Sequence, residues 1–430
     1  MGRLNEKEQH LQSPGAPVSN ELLSELSLPV VEINGLTQKV STGFPGCQRI
    51  PTKQPKRHSI MPLPAVHITT QCFPPSIGGI ENLMHGIASA LARLGYPVTV
   101  YADSHPDAPR FSPAVNSGDY EIRRFGGLKP VRRWLKARAV QKAAVSGSIL
   151  IADTWKSLEF INPSVVEAKI LCLAMAMEFP SEPSARKADR IRKTLAIADL
   201  LLPISSYTQG RAAPFCPPDL SVELFHPGFT PPKQLDDARA AELANVPEDA
   251  RPALFTISRI ESRKGHDLVL AALPQLRESW PNLHYFVAGS GPDQARLERI
   301  VEHTNLKSAV TFLGRVSEEQ KAAWLQQSDL FVMPTRTEGE SVEGFGLVYL
   351  EAASMGLTSI AGNDSGAQDA VLHRETGLLC DSSSVEELTA SISAVLGDAD
   401  LRQQLESAAR SRVEAEFMWP AAIQRLTQWF

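Results

Sequence analysis

The sequence predicts an α/β fold of two doubly wound, Rossmann-like domains facing each other across a cleft. Three observations carry this. At 430 residues the chain is longer than one ordinary core accommodates. From about residue 250 onward, short β-rich runs alternate strictly with helical patterns, which predicts a parallel sheet covered on both faces. Near residue 65 a strand, a glycine turn, a helix and a second strand form a βαβ unit, so the same architecture begins twice.

Residues 1–60 differ in kind. PGAPVSN, STGFPG and PTKQPKRHS are rich in Pro, Gly, Ser and charge without sustained periodicity, and read as a mostly disordered extension. Met61 stands just before the first clear strand and offers an alternative start. Order begins at AVHITT (65–70), followed by the turn QCFPPSIGG. In IENLMHGIASALARLG, residues Ile80, Leu83, Met84, Ile87, Leu91 and Leu94 recur at helical spacing and Gly95 ends the run. PVTVYA (97–102) is the next strand. SILIAD (148–153), KILCLAM (169–175), ADLLLPIS (198–205) and SVELFHPG (221–228) read as further strands, and TPPKQLDDARAAEL as a linker. The second half gives strands at 253–259, 283–289, 309–314, 330–335, 358–363 and 377–381, with helices in HDLVLAALPQL, DQARLERIVEH and SEEQKAAWLQQ between them. The expected organisation is an N-terminal domain over 61–240 and a C-terminal domain over 241–412. EAEFMWPAAIQRLTQWF supplies the core anchors of a final helix within 413–430.

Composition narrows the function class. With 43% hydrophobic and 21% charged residues the chain has ordinary globular composition, and a net charge of -5 gives no global attraction to nucleic acid or acidic membrane. Five scattered cysteines, never spaced as CxxC, argue against a disulfide framework or a zinc site and fit a reducing cytoplasm. No His/Cys/Asp cluster has metal-ligand spacing. No stretch approaches the ~20 apolar residues of a membrane span, and the N-terminus lacks the pattern of a secretory signal. A cytoplasmic location is the expectation.

Two motifs carry chemistry. In TEGESVEGFGLVYLEAAS, Glu343 and Glu351 flank the turn Gly344-Phe345-Gly346, and helix-forming composition runs to Met355. The glycines let backbone approach a ligand, and free N–H groups at the helix start favour an anion. A carboxylate is a good bidentate acceptor for vicinal sugar hydroxyls, so two of them suit a ribose and a second sugar; the same spacing also suits a solvated acidic loop. In SRIESRKG, Arg259 and Lys264 follow a strand's carboxyl end. A guanidinium fork and a mobile ammonium suit a diphosphate, although an exposed basic turn has the same appearance.

SRIESRKGHDLVLAAL, VAGSGPDQARLE, VTFLGRVSEEQ and EGFGLVYLEAASMG resemble the C-terminal domain of glycosyltransferase family 4, which has the two-domain GT-B fold and includes the phosphatidylinositol mannosyltransferases. PPSIGGIE matches that family's glycine-rich first turn, and the E-x7-E motif falls on Glu343 and Glu351. The resemblance implies that Arg259 and Lys264 bind the donor diphosphate and stabilise the leaving group. It implies that Glu351 accepts hydrogen bonds from the ribose and that Glu343 faces the transferred sugar, with the backbone of Gly344, Phe345 and Gly346 nearby. Gly79 would let the first helix approach the diphosphate, and Gly314 and Arg315 would meet the base. It implies retention of anomeric configuration, no tightly bound cofactor and no required metal. It also implies that the final helix packs back on the N-terminal domain.

One departure stands out. The family commonly has a histidine in an HGxE-like turn, and the matching place here is Met175-Ala176-Met177-Glu178, where methionine can neither donate nor accept a proton. With same-face attack the leaving phosphate can itself take the acceptor proton. Glu178 is a candidate on the acceptor side, or else a surface acid. His85, on the first helix, either lines the cleft or faces solvent, and His67 reads as a packed residue. Arg123, Arg124, Lys129, Arg132, Arg133, Lys136, Arg138 and Lys142 cluster around Val131, Trp134 and Leu135. That pattern suits an anionic bilayer surface or a solvated helix face; no nucleic-acid module accompanies it.

The resemblance thus implies a retaining glycosyltransferase that moves a hexose, with mannose from GDP preferred, from a nucleotide-diphosphate sugar. The acceptor is a lipid-linked or polysaccharide-precursor hydroxyl, met in the cytoplasm or at the inner face of the membrane. A nucleotide-sugar epimerase and a non-catalytic nucleotide-sugar-binding partner are the rival readings.

Overall fold

The computed structural model describes residues 62–76, 78–108 and 118–430. The expected disordered extension, with its alternative start at Met61, lies outside the described residues. Two parallel sheets organise the described residues. The first holds β1 (Val66–Thr69), β2 (Val98–Asp103), β3 (Glu121–Phe125), β4 (Ile149–Ala152), β5 (Lys169–Ala174), β6 (Leu200–Pro203) and β7 (Ser221–Val222), in the order β3-β2-β1-β4-β5-β6-β7. Its helices are α1 (Gly79–Arg93), α2 (Lys129–Ala143), α3 (Trp155–Leu158), α4 (Ala185–Leu195) and α5 (Ser206–Ala212). Strands β1, β4, β5 and β6 are Val-, Ile- and Leu-rich and almost entirely buried, as a sheet covered on both faces requires.

Helix α6 (Asp237–Ala244) joins the two sheets, inside the segment read as a linker. Asp236 caps it by accepting the Arg239 N–H, while Ala240 and Ala244 face the core. The second sheet holds β8 (Ala253–Ile257), β9 (His284–Ala288), β10 (Val310–Gly314), β11 (Leu330–Met333), β12 (Ser359–Gly362) and β13 (Gly377–Cys380), ordered β10-β9-β8-β11-β12-β13. Its helices are α7 (His266–Ser279), α8 (Gln294–His303), α9 (Glu318–Gln327), α10 (Leu347–Ser354), α11 (Ala367–Ala370), α12 (Val385–Gly397) and α13 (Ala399–Arg412). All pairings within the two sheets are parallel; in the second sheet Leu254 lies beside both Leu330 and Tyr285.

Each sheet reverses its strand order once, between β1 and β4 and between β8 and β11. Ligands of open parallel sheets bind outside the strand carboxyl ends at such switch points. Residues 61–430 form one compact unit. The last helix, α14 (Trp419–Thr427), lies against α1. Gly86 and Gly228 leave the room that Trp419 fills, since a Cβ on Gly86 would come within 1.7 Å of the indole. Phe430 meets Tyr96 edge-on at 5.4 Å.

Two expectations are adjusted. The strand read at 221–228 is regular only over Ser221–Val222; Glu223 N and Phe225 N still donate to the Leu201 and Pro203 carbonyls of β6, and beyond Pro227, which has no N–H to give, the chain leaves toward an isolated bridge between Phe229 and Met418. The basic run over 123–142 is not one helix. Arg123 and Arg124 lie on edge strand β3, a half-exposed strand that periodicity did not reveal.

Candidate active site

The carboxyl edge of the second sheet gathers most of the predicted residues. After β8 a short 3₁₀ turn, Ser262–Lys264, presents its last residue inward, and Lys264 is only 8% exposed. Gly265, at φ 76°, follows; a Cβ there would strike the Pro334 carbonyl oxygen at 2.2 Å, so this turn can lie against the end of β11 only with glycine. From the facing loop Glu343 reaches over. Its Oε2 accepts from Lys264 Nζ and from Arg263 Nη1, the latter at 2.9 Å. Burial pushes the Glu343 carboxyl up, but Lys264 and Arg263 outweigh it and hold the group below its ordinary range. Gly346, at φ 89°, turns the chain into α10, and Phe345 is buried against His226 and Phe417.

Glu351 sits on α10 with its side chain 18% exposed. Lys321 of α9 donates to Glu351 Oε1 at 3.0 Å and pairs with Glu318 at 2.7 Å. Burial raises the Glu351 carboxyl and Lys321 pulls it partly back. Glu351 and Lys321 line a cleft of about 780 Å³ whose opposite wall includes Asn82 and His85 of α1. The two carboxylates therefore differ in setting: Glu343 is clamped by two cations, and Glu351 has one and opens on the cleft.

Not every predicted residue enters this cluster. Arg259 is 72% exposed at the rim and pairs with Glu261 at 3.1 Å, which also holds Arg263 at 3.0 Å. Gly79 begins α1 with open space around it, and Gly314, at φ 68°, is equally open. Arg315 donates to Ser290 Oγ at 3.1 Å. His85 shares a 2.7 Å hydrogen bond with the Tyr120 hydroxyl, and its ring borders the cleft. His67 is buried against Tyr101, as its apolar strand suggested.

The first sheet contributes the turn after β5. Met175 is buried, and a Cβ on Gly344 would lie 2.7 Å from its carbonyl oxygen, so the two halves of the molecule meet at these residues. Ala176 has φ 85°, a conformation that ordinarily selects glycine. Glu178 is not a surface acid: it is 4% exposed and accepts the Met175 N–H at 2.7 Å. Burial, resisted by those backbone hydrogen bonds and by Lys156, moves its carboxyl up to about 7.

The basic run is largely paired. Arg132 and Lys136 flank Asp103 at 2.9 and 2.8 Å, Lys136 being 2% exposed and also bound to the Thr70 carbonyl. Arg123 pairs with Glu121, Arg124 donates to the Pro74 carbonyl, and Arg133 donates to Glu159 and Gln71. What α2 leaves outward is Lys129, Arg138 and Lys142, interleaved with exposed Leu128, Val131, Trp134 and Leu135. Among the described residues no helix is long and apolar enough to cross a membrane, and no group of three or more His, Cys, Asp or Glu is placed to hold a metal ion.

Sequence reasoning missed four contributors. Arg263 stood in the quoted SRKG run and was legible as a second cation. Lys321 gave no local signal, because its partner Glu351 is 30 residues away. Asp369 accepts from Ser206 N at 2.8 Å, from the Ser206 hydroxyl and from His226 Nε2 at 2.9 Å. Glu340 accepts from Ser181 N and Oγ and from Arg211. These last two tie the halves together over more than 120 residues of sequence, which no pattern announces.

Comparison with known proteins gives this geometry a context. Residues 240–412 match the family described as "Glycosyl transferases group 1". The chain is 28% identical over 375 residues to a Mycobacterium tuberculosis GDP-mannose-dependent alpha-(1-6)-phosphatidylinositol monomannoside mannosyltransferase, covering 84% of this chain and 96% of that one. Among solved structures it is similar in fold to Anabaena HepE in complex with UDP (TM-score 0.70, 17% identity, 85% and 98% of the two chains). It is likewise similar to sucrose-phosphate synthase from Thermosynechococcus elongatus (TM-score 0.67, 21% identity, 85% and 98%). Residues 240–412 are a glycosyl transferases group 1 domain, and the chain is a glycosyltransferase with the GT-B fold.

Proposed function

We propose that this enzyme moves a hexose, with mannose from GDP-mannose preferred, from a nucleotide-diphosphate sugar to a hydroxyl of a lipid-linked or polysaccharide-precursor acceptor, with retention of anomeric configuration. The observation that carries the reading is the pairing of Lys264 and Arg263 with Glu343 at the end of β8, beside Glu351 opening on the cleft. The relatives' dependence on GDP-mannose supports the choice of donor.

In this reading the C-terminal domain, 241–412, holds the donor and the N-terminal domain, 61–240, holds the acceptor. Glu351 accepts from the ribose diol. Lys264 and Arg259 meet the diphosphate, and Lys264, already half-engaged by Glu343, stabilises the charge that grows on the leaving phosphate. The bond from C1 to the phosphate oxygen breaks as the acceptor oxygen bonds C1 from the same face, and the acceptor proton passes to the departing phosphate. Met175 is then no obstacle, since no protein base is needed. Glu343 faces the transferred sugar, with the backbone of Gly344, Phe345 and Gly346; Gly79 adjoins the diphosphate, and Gly314 and Arg315 the base. His85 and Glu178 belong to the acceptor side. Charge from Arg259 and Lys264 does the work a metal does elsewhere, so EDTA leaves turnover unchanged. The outward residues of α2 support docking of the enzyme at the inner face of the membrane.

The test has two steps. Thermal stability is measured with GDP, UDP, ADP, CDP and dTDP in turn, where a ligand at ~100 times its dissociation constant adds about 2.7 kcal/mol to the native state. The sugar nucleotide of the stabilising base is then offered with and without acceptor. Nucleotide release that depends on acceptor supports transfer; release or sugar interconversion without acceptor supports an epimerase, and binding without either supports a non-catalytic partner.

A further inference from the structure

The turn after β8 carries more charge than a diphosphate alone calls for. In SRIESRKG the structure joins Arg259, Glu261, Arg263 and Lys264 to Glu343 in one chain of ion pairs, three cations against two carboxylates. Glu261 takes Arg259 at 3.1 Å on one oxygen and Arg263 Nε at 3.0 Å on the other. Arg263 Nη1 continues to Glu343 Oε2 at 2.9 Å, and Lys264 Nζ meets the same oxygen. The two cations on Glu343 are not equivalent. Arg263 is spanned by two acids, and its carbonyl accepts the Arg336 N–H at 2.8 Å. Lys264 has one acid for an ammonium that can donate three hydrogen bonds.

Glu343 depends on these two cations. Burial pushes its carboxyl up, and Lys264 and then Arg263 outweigh that push. The other groups around it bring no positive charge. Tyr349 of α10 is a hydroxyl that burial holds well above its ordinary range. Asp369 of α11 is taken by Ser206 and His226, and Glu338 of the same loop by Ser262 and Arg336. From the first sheet's side the Met175 carbonyl and Ile204 lie against Gly344. When a diphosphate engages Lys264, phosphate charge offsets the ammonium, and Arg263 is left as the one guanidinium between two carboxylates. A buried carboxylate deprived of its counter-charge takes up a proton rather than stay ionised.

We infer that Arg263 is a positioning residue, which keeps Glu343 in place and ionised when Lys264 turns from it to the donor diphosphate. A guanidinium suits this post because its planar fork serves both acids at once and it stays charged at any working pH. An ionised Glu343 accepts from hydroxyls of the transferred sugar and faces the positive charge that grows at C1 as the bond to phosphate breaks. A protonated one loses that charge. The inference rests on the proposed placement of the donor, with its diphosphate at Lys264 and its sugar at Glu343.

Calorimetric titration of GDP into the full chain at neutral pH, with UDP in parallel and in buffers of different ionisation enthalpy, counts the protons exchanged on binding. Protons shed by the bound phosphate are common to all the proteins, so differences between them report on the site. Arg263→Gln takes up at least about half a proton more per nucleotide than the wild type. Arg263→Lys, which keeps a cation, returns most of the way to the wild-type count. Arg263→Gln combined with Glu343→Gln shows no extra uptake, because the accepting carboxylate is gone. The inference is overturned if Arg263→Gln exchanges protons as the wild type does, if Arg263→Lys takes up as many as Arg263→Gln, or if the double variant keeps the extra uptake. An arginine with a merely structural role lowers the melting temperature when replaced and leaves the proton count unmoved. A wild type that binds neither nucleotide removes the donor reading and the inference together, whereas binding with an unmoved count in the variant removes the inference alone.

Discussion

The two switch points of this molecule treat charge in opposite ways. At the end of the second sheet the inward-facing cations have acids: Lys264 and Arg263 share Glu343, and Lys321 lies between Glu351 and Glu318. At the end of the first sheet Lys156 has no paired carboxylate among the described residues, Glu178 is held near neutrality by burial, and Ala176 adopts a glycine conformation. Paired charges hold their geometry without a guest, so the second edge is preorganised. Strained groups persist where the surrounding structure holds them, and at the first edge the buried turn from Met175 to Glu178 does so.

Substitutions can break or sharpen this contrast, and the largest effect belongs to the preorganised edge. Lys264→Ala removes one of two clamps on Glu343 and, in the proposed function, the cation that meets the leaving phosphate; kcat falls about 10²–10³-fold. A variant within a few-fold of wild type in single-turnover assays would count against the leaving-group role.

Next comes Glu178. An unfolded glutamate titrates near ~4.3, whereas the folded group titrates at about 7. Between those values the folded chain holds more protons than the unfolded one. Its contribution to stability is therefore fully present below the unfolded pKa and is lost as pH rises through about 7. Glu178→Gln keeps the acceptor for the Met175 N–H without the charge. Relative to wild type it gains on the order of 2–3 kcal/mol at pH 8 and little at pH 4.5. Denaturant melts at the two pH values check this, and equal differences at both would contradict it.

A smaller change is expected at Lys321. Lys321→Met leaves the Glu351 carboxyl raised by burial with nothing to pull it back, so under the proposed function a weaker acceptor meets the ribose. Donor KM rises about tenfold with kcat within about threefold, the mark of a group that binds ground and transition states alike. Steady-state kinetics at saturating acceptor read the split; a kcat loss at unchanged KM would reassign the lysine. The smallest effect is structural: Ala176→Gly relieves a left-handed alanine and adds about 0.5–1 kcal/mol, measured by urea melts.

The contrast also explains how much the sequence could reveal. The second domain was legible because its strands are continuous apolar runs between amphipathic helices, and because Glu343, Glu351, Arg259 and Lys264 lie in two short motifs. The first domain gave its strands but not its site. β3 reads Glu-Ile-Arg-Arg-Phe, a half-exposed edge with more charge than apolar residues, so neither alternation nor burial marks it. The basic run suggested a single charged face because sequence cannot show that Arg132 and Lys136 turn inward to Asp103. Asp369 and Glu340 join residues more than 120 positions apart, and only the folded chain brings them together. Met175 was legible as a departure, but its burial against Gly344 of the other half was not.

The most direct measurement is calorimetric titration of GDP into the wild type, Lys264→Ala and Glu351→Ala under one set of conditions. The account predicts binding by the wild type and a loss of about tenfold or more in each variant, the expected worth of a hydrogen bond to a charged group. Equal affinity in all three proteins would contradict it, because the donor would then lie away from the paired-charge edge of the second sheet.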